Sequence, residues 1–343
     1  MEITQNVSLA NYSTMRLGGI TDYLVEVHSR NELRDAVEWA KQHQQDMRVI
    51  GEGSNIIWSD DGFRGLIIVN KIFGYDDLAE DARSHYVTIG AGEPWDSVVA
   101  RTVAAGLSGV EALSLIPGTA GATPVQNVGA YGQDISQTLV SVEAYDVEKN
   151  QFVNIPAEAC GFGYRSSQFQ TEYRHRYYIT AITLHLMATN PTPPFYAAVQ
   201  QYLDTRGFTG TVTPQIIRDC VVAIRTAKLP NPAHVANNGS FFANPIITED
   251  NLVELRADYP TLPYWPLDAG GAKIPAAWLI EQTGFKDHHD TETGMATWPT
   301  QPLVLVNEKA THTADVLRFR DKIITAVEQK FHITLRQEPE LLP

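Results

Sequence analysis

The sequence predicts an α+β fold built from several domains. Helical and strand periodicities alternate irregularly along the chain, and no internal repeat appears. The segments Leu139–Val147 and Tyr178–Leu186 alternate apolar and polar residues, as antiparallel strands with one solvated face do. At about 150 residues per domain, the 343 residues allow two or three domains.

Each element has its own signal. Ser29 and Glu32 have capping-box spacing, with Leu33, Val37 and Ala40 following at helical intervals. Met47-Arg-Val-Ile50 reads as a buried strand that ends abruptly in Gly51-Glu-Gly-Ser-Asn55. Ile56–Trp58 and Leu66–Val69 are further strands, separated by the turn Asp60-Asp-Gly62. A strand at Tyr86–Ile89 leads to a helix at Trp95–Ala104, with Pro94 at its first position. Pro191–Pro194 interrupts the pattern, and a loop carrying Phe195 and Tyr196 follows. Thr213-Pro214 opens a helix with Ile217, Cys220, Val221 and Ile224 on one stripe, so Cys220 is expected to pack as a small apolar residue. From Leu229 onward, Pro230, Pro232 and the polar His234–Ser240 stretch mark a domain boundary. The tail is expected to hold helix Ile274–Gln282, strand Leu303–Val306, helix Ala314–Lys330 and a last strand near Ile333–Leu335.

Composition removes whole classes of function. With 43% hydrophobic and 19% charged residues, the chain is an ordinary globular sequence. Lys and Arg total 26 against 40 Asp and Glu, a net charge of −14 with no basic cluster. A phosphate-backbone binder needs clustered positive charge, so nucleic acid is not an expected partner. Two cysteines are too few for a disulfide framework. No secretory signal is visible at the N-terminus, and a cytoplasmic location is the expectation. The charge-free segment Ala112–Gln133 contains Pro117, Pro124, Gln126, Asn127 and four glycines, so no membrane span is expected there.

Two glycine-rich loops stand out. Gly51–Asn55 follows a strand, and its small residues let backbone N–H groups converge on an anion, although a tight hairpin turn is the simpler reading of the pentapeptide alone. It fits neither GxGxxG nor the P-loop pattern. Ile116–Thr123 is a second uncharged small-residue loop, running into Gln126–Gly132. Long loops of this kind are usually functional, and two together could wrap a dinucleotide pyrophosphate with neutral donors. Ser240 sits between glycine and two aromatics but lacks a GxSxG elbow. Taken alone, Arg165 reads as a surface arginine, Glu340 as part of an acidic tail, and His288-His289-Asp290 as a solvated polar loop rather than a metal site.

In combination these segments point further. Ser13–Gly19, Gly51–Asn55, Ile116–Gly132, Gly163–Arg165, Gly239–Phe242, Ala276–Gln282 and Glu338–Glu340 occur in one order across nearly the whole chain. That ordered set resembles the UDP-N-acetylenolpyruvoylglucosamine reductase (UDP-N-acetylmuramate dehydrogenase) family of peptidoglycan synthesis, in its longer type with a mobile tyrosine loop. The resemblance implies two α+β subdomains forming a non-Rossmann, vanillyl-alcohol-oxidase-like FAD-binding fold, at 1–72 and 73–228, the second completed by 330–343. A third, substrate-binding α+β domain would occupy 229–329.

The implied chemistry is a two-stage reduction. NADPH passes hydride to non-covalently bound FAD, and the reduced flavin passes it to the vinyl carbon of UDP-N-acetylglucosamine enolpyruvate. Carried over residue by residue, Ser240 would protonate the adjacent carbon while Arg165 and Glu340 stabilise the enediolate. An arginine fork matches a carboxylate, whereas a glutamate helps a developing dianion only if it carries a proton. FAD contacts would come from Arg16, Gly51, Gly53, Ser54, Asn55, Pro117, Gly118, Gly121, Ala122, Thr123, Gln126, Asn127, Gly129 and Ala130. Substrate contacts would come from Tyr131, Tyr196, Lys228, Asn244, Lys273 and Gln282. No metal and a monomeric state are expected. Ala243 and Trp298 depart from residues common in the family, lysine and histidine respectively.

Overall fold

The computed structural model describes residues 1–343, and its contacts group the chain into two compact units. The first comprises residues 1–7, 21–52 and 63–227, and the second 8–20, 53–62 and 228–343. No helix is long and apolar enough to cross a membrane.

In the first unit, Ile20–Val27, Phe63–Asn70 and Asp46–Ile50 lie side by side as parallel strands. The helix Arg30–Gln42 covers them, burying Leu33, Ala36, Val37 and Ala40 at the spacing the sequence shows. Its N-terminus is closed from both sides. Ser29 accepts the Glu32 N–H at 3.2 Å, and the Glu32 carboxylate accepts the His28 N–H, one residue before the cap. A five-stranded antiparallel sheet follows, in the order Gln151–Pro156, Leu139–Asp146, Tyr177–Met187, Ser84–Gly90, Tyr75–Ala79. Tyr177–Met187 alternates in burial along almost its whole length, which fixes its register against both neighbours. Trp95, Val98, Val99 and Val103, from the helix Trp95–Ala104, pack against that sheet. Pro94 stands just outside this helix as its cap, one position earlier than expected.

The helices Ala197–Thr205 and Pro214–Lys228 form a small core of Val199, Leu203, Ile217, Cys220 and Val221. Cys220 is therefore a packing residue. Burial pushes the Cys160 thiol up to about 11, an unreactive state for a cysteine.

The second unit is built on the sheet order Ala236–Ser240, Gln301–Asn307, Met295–Trp298, His289–Asp290. Met295, Leu303 and Leu305 on one face pack with Phe319, Ile323 and Val327 of the helix Thr313–Phe331. Ala296, Val304 and Val306 alternate onto the opposite face.

The C-terminal segment differs from expectation in two ways. Residues 333–335 form no strand: His332 takes a left-handed conformation, and Ile333 and Leu335 are buried in the core without a ladder partner. The strand is instead Glu340–Leu342, paired in parallel with Ile56–Trp58. That pairing groups 330–343 with the second unit, not with the middle domain they were expected to complete.

Candidate functional site

In the first unit the two glycine-rich loops meet. Gly51 lies so close to Thr119 that a Cβ would fall 2.4 Å from its hydroxyl oxygen, and a Cβ on Gly121 would fall 2.5 Å from that of Ala91. Only glycine permits these approaches. The short turn Ala120–Ala122 is held by the Gly121 N–H to the Ala91 carbonyl and by the Thr123 hydroxyl to the Ala120 carbonyl. The Gly118 N–H donates to the carboxylate of exposed Glu52 at 2.7 Å, so this amide already faces an anionic oxygen.

Asn127 carries the second loop to the arginine motif. Its amide donates to the Gly163 carbonyl at 3.1 Å, and its side-chain oxygen accepts the Ser136 N–H. Arg165, half-buried and with φ +52°, donates through Nη2 to the Gly129 carbonyl at 2.6 Å. Gly129 is tight there, since a Cβ would come 3.1 Å from the guanidinium. Tyr131 meets Tyr196 edge-to-face at 5.6 Å between ring centroids. Burial raises the Tyr131 pKa, while neighbouring Arg225 opposes the shift.

Arg225 escaped the sequence reading. It also donates to the Leu115 carbonyl at 3.3 Å, and it places a cation beside Tyr131, one of the expected substrate residues. Its signal was available in the run Arg225-Thr-Ala-Lys228, one turn before the expected Lys228 on the same helix.

That helix is anchored by Arg218, which makes a two-point ion pair with Asp96 (2.6 and 3.0 Å) and donates to Ser114 at 2.9 Å. Burial by itself would raise the Asp96 pKa. The Arg218 guanidinium and the Leu115 N–H outweigh it and hold the carboxyl below its usual range. The stabilisation is therefore complete above about pH 4 and is lost as pH falls through the depressed value. Arg218→Met is expected to destabilise the protein by about 1–3 kcal/mol at pH 7. In denaturant titrations the gap from wild type should narrow below about pH 4; a gap as wide at pH 3 as at pH 7 would rule out this pair as its source.

The second unit holds the other half of the pentapeptide. Gly53 has φ +76°, with the Tyr12 carbonyl oxygen 2.1 Å from where a Cβ would stand, so no side chain fits. The Asn238 amide donates to the Ser54 and Ile56 carbonyls and to the Thr14 hydroxyl. Arg16, left-handed at φ +59°, bonds through Nη2 to the Pro232 and Ala233 carbonyls, both at 2.8 Å.

Ser240 ends the strand Ala236–Ser240 and is exposed. The register against Gln301–Asn307 shifts between Asn237 and Ser240, and Gly239 between them has φ +69°. Immediately afterwards, Phe241 and Phe242 are completely buried. This turn-then-anchor arrangement pins the backbone beside a free hydroxyl. The same stretch receives the C-terminal tail: the Glu338 N–H donates to the Phe241 carbonyl, the Ala243 N–H donates to the Arg336 carbonyl, and Phe242 pairs with Gln337 in an isolated β-bridge. The Glu340 N–H then donates to the Asn55 carbonyl at 2.9 Å, which fixes that residue at the start of its strand. So the second unit gathers Gly53–Asn55, the Ser240 turn and Glu340, while Arg165, Tyr131 and Tyr196 belong to the first.

Among the remaining expected residues, the Asn244 side-chain oxygen accepts the Ala276 N–H at 2.9 Å, leaving its amide group for a ligand. Lys273 lies over the Trp265 ring at 5.3 Å. Gln282 is exposed, and its carbonyl accepts Lys330. Lys228 is exposed, with its carbonyl held by Thr300. His289 pairs with Glu308, and Asp290 pairs with Lys322.

A family model for an FAD-binding domain matches residues 21–154, and one for the UDP-N-acetylenolpyruvoylglucosamine reductase C-terminal domain matches 231–342. A UDP-N-acetylenolpyruvoylglucosamine reductase of Amoebophilus asiaticus is 36% identical over 345 residues, covering 100% of both chains. This chain belongs to that reductase family. A member from Pseudomonas putida is 37% identical and covers 98% of each chain. A member from Escherichia coli K12 is 35% identical over 98% of this chain and 95% of its own. The crystal structure of the Thermus caldophilus reductase matches the fold with a TM-score of 0.68 at 22% identity, covering 100% of both chains. The α+β, FAD-binding fold expected from the sequence is thereby borne out, and the family makes the protein an FAD-containing oxidoreductase. The loops suit that cofactor. They come together with no crowding side chain, and the Gly118 amide bonds an exposed carboxylate oxygen whose place a phosphoryl oxygen could take.

Proposed function

We propose that this protein reduces UDP-N-acetylglucosamine enolpyruvate to UDP-N-acetylmuramate for peptidoglycan synthesis, with NADPH as the source of hydride. The observation that carries the reading is full-length similarity to reductases of that name, with each reaction motif present in order. In the first unit, FAD would be held by Gly51, Gly118, Gly121 and Thr123. When bound, it supplies the hydride relay between the two substrates.

The protein's own residues then handle charge and protons. Arg165 presents a fixed cation to the substrate carboxylate, because its bond to Gly129 orients the guanidinium. Ser240 donates its proton to the carbon beside that carboxylate, from a turn that Phe241 and Phe242 hold rigid. Glu340 bonds the developing enediolate. Tyr196, packed against Tyr131, closes over the diphosphate, with Arg225 beside Tyr131 as a cation for it, and Lys228 would supply a second charge to the substrate. Asn244, Lys273 and Gln282 would contact the rest of the substrate. The domain divisions near residues 72 and 228 are carried in the same proposal.

The test is spectroscopic. The purified protein should be yellow, lose its flavin absorbance with NADPH under anaerobic conditions, and regain it when the enolpyruvyl substrate is added. A protein that bleaches but does not recover would refute the substrate assignment.

A further inference from the structure

One cleft in the second unit gathers residues that, apart from Arg16, have no role in the reduction. It has a volume of about 640 Å³ and lies on the sheet face opposite the main core, over Ala296, Val306 and Val235. Trp298, half-buried, packs against that apolar floor. Around it stand Arg16, Lys309, His234 and His289, with Glu308 the one acid among the lining residues. Glu308 is engaged by His289 at 2.9 Å. Arg16 is tied to two uncharged carbonyls, so its positive charge is oriented without being cancelled. On a chain of net charge −14, a cleft with this balance is a local reversal of sign.

An aromatic platform on an apolar floor, rimmed by cations, is the chemistry that takes a planar ring carrying a phosphate. We propose that this cleft binds a nucleoside phosphate, its base against Trp298 and its phosphate among Arg16, Lys309 and His234. Two features left unexplained by the reaction, Trp298 in place of the family's common histidine and the polar run at His289, thereby acquire a shared role. The proposal goes beyond the reductase reading and does not depend on it.

The experiment is calorimetric titration of the FAD-loaded protein with ADP and with adenosine, following the flavin spectrum in parallel. ADP should bind without perturbing the visible flavin absorbance, and adenosine roughly tenfold or more weakly. Lys309→Glu combined with His234→Ala should weaken ADP at least about tenfold while leaving the melting temperature and the flavin half-reactions unchanged. Trp298→Ala should weaken ADP and adenosine alike, by roughly tenfold.

Three outcomes would overturn the assignment. The first is no heat from ADP at about millimolar concentration, where even a weak site registers. The second is ADP binding that shifts the flavin spectrum and survives the double variant, which would place it at the flavin. The third is binding to FAD-free protein only, which would make the cleft part of the cofactor's own site. None of these bears on reduction of the enolpyruvyl substrate, so the two readings fail separately.

Discussion

Ser240→Ala is expected to leave NADPH bleaching of the flavin near wild-type speed while slowing reoxidation by the enolpyruvyl substrate roughly 100- to 10,000-fold. The two halves separate because a proton donor is needed only when the substrate carbon is protonated. The substitution should cost the fold little. Ser240 is exposed, and the backbone around it is fixed by Phe241, Phe242 and the bonds from Ala243 and Glu338. Ser240→Cys offers a second reading, since a thiol is a stronger acid than a hydroxyl and should restore part of the lost rate. Anaerobic stopped-flow absorbance resolves both steps. Equal and fast half-reactions in Ser240→Ala would remove the serine from the proton transfer.

Arg165→Met should lower the rate of substrate reduction about 100- to 1,000-fold, as loss of a group aimed at developing charge typically does. Arg165→Lys should recover little of it. A lysine keeps the charge but has no planar fork to bond Gly129 with one arm and a carboxylate with the other. Flavin affinity separates this role from loop support. If Arg165 mainly held Gly129 in place, FAD binding would weaken along with the rate. If it acts on the substrate, the rate falls while flavin binding stays within a few-fold. An unchanged rate would end the assignment.

Local physics made much of the fold legible. The cap at Ser29, the strand ending at Ile50, the alternation in Tyr177–Met187 and the stripe through Cys220 depend on near neighbours, and all form as the spacing implies. Non-local pairing was harder to see. Ile333 and Leu335 alternate as a strand would, yet they serve only as plugs in the core, because the preceding His332 turns the chain away. The true strand, Glu340–Leu342, is three residues between prolines and owes its conformation to Ile56–Trp58, far away in sequence.

The site divides along the same line. Glycine-rich loops show themselves through composition, whereas Arg225 becomes prominent only when the fold places it beside Tyr131. Arg16 shows the reverse. Its motif is plain in the sequence, but its bonds to Pro232 and Ala233 depend on segments distant in the chain.

The second unit is stitched from three separated stretches, and this governs when it can form during synthesis. Residues 8–20 and 53–62 leave the ribosome early, but the partners that complete their unit lie in the last third of the chain. Ile56–Trp58 must wait for Glu340–Leu342, more than 280 residues later in the chain. The nascent chain therefore carries an unpaired apolar strand until the segment around residue 340 has been made, and only then can this part of the unit close.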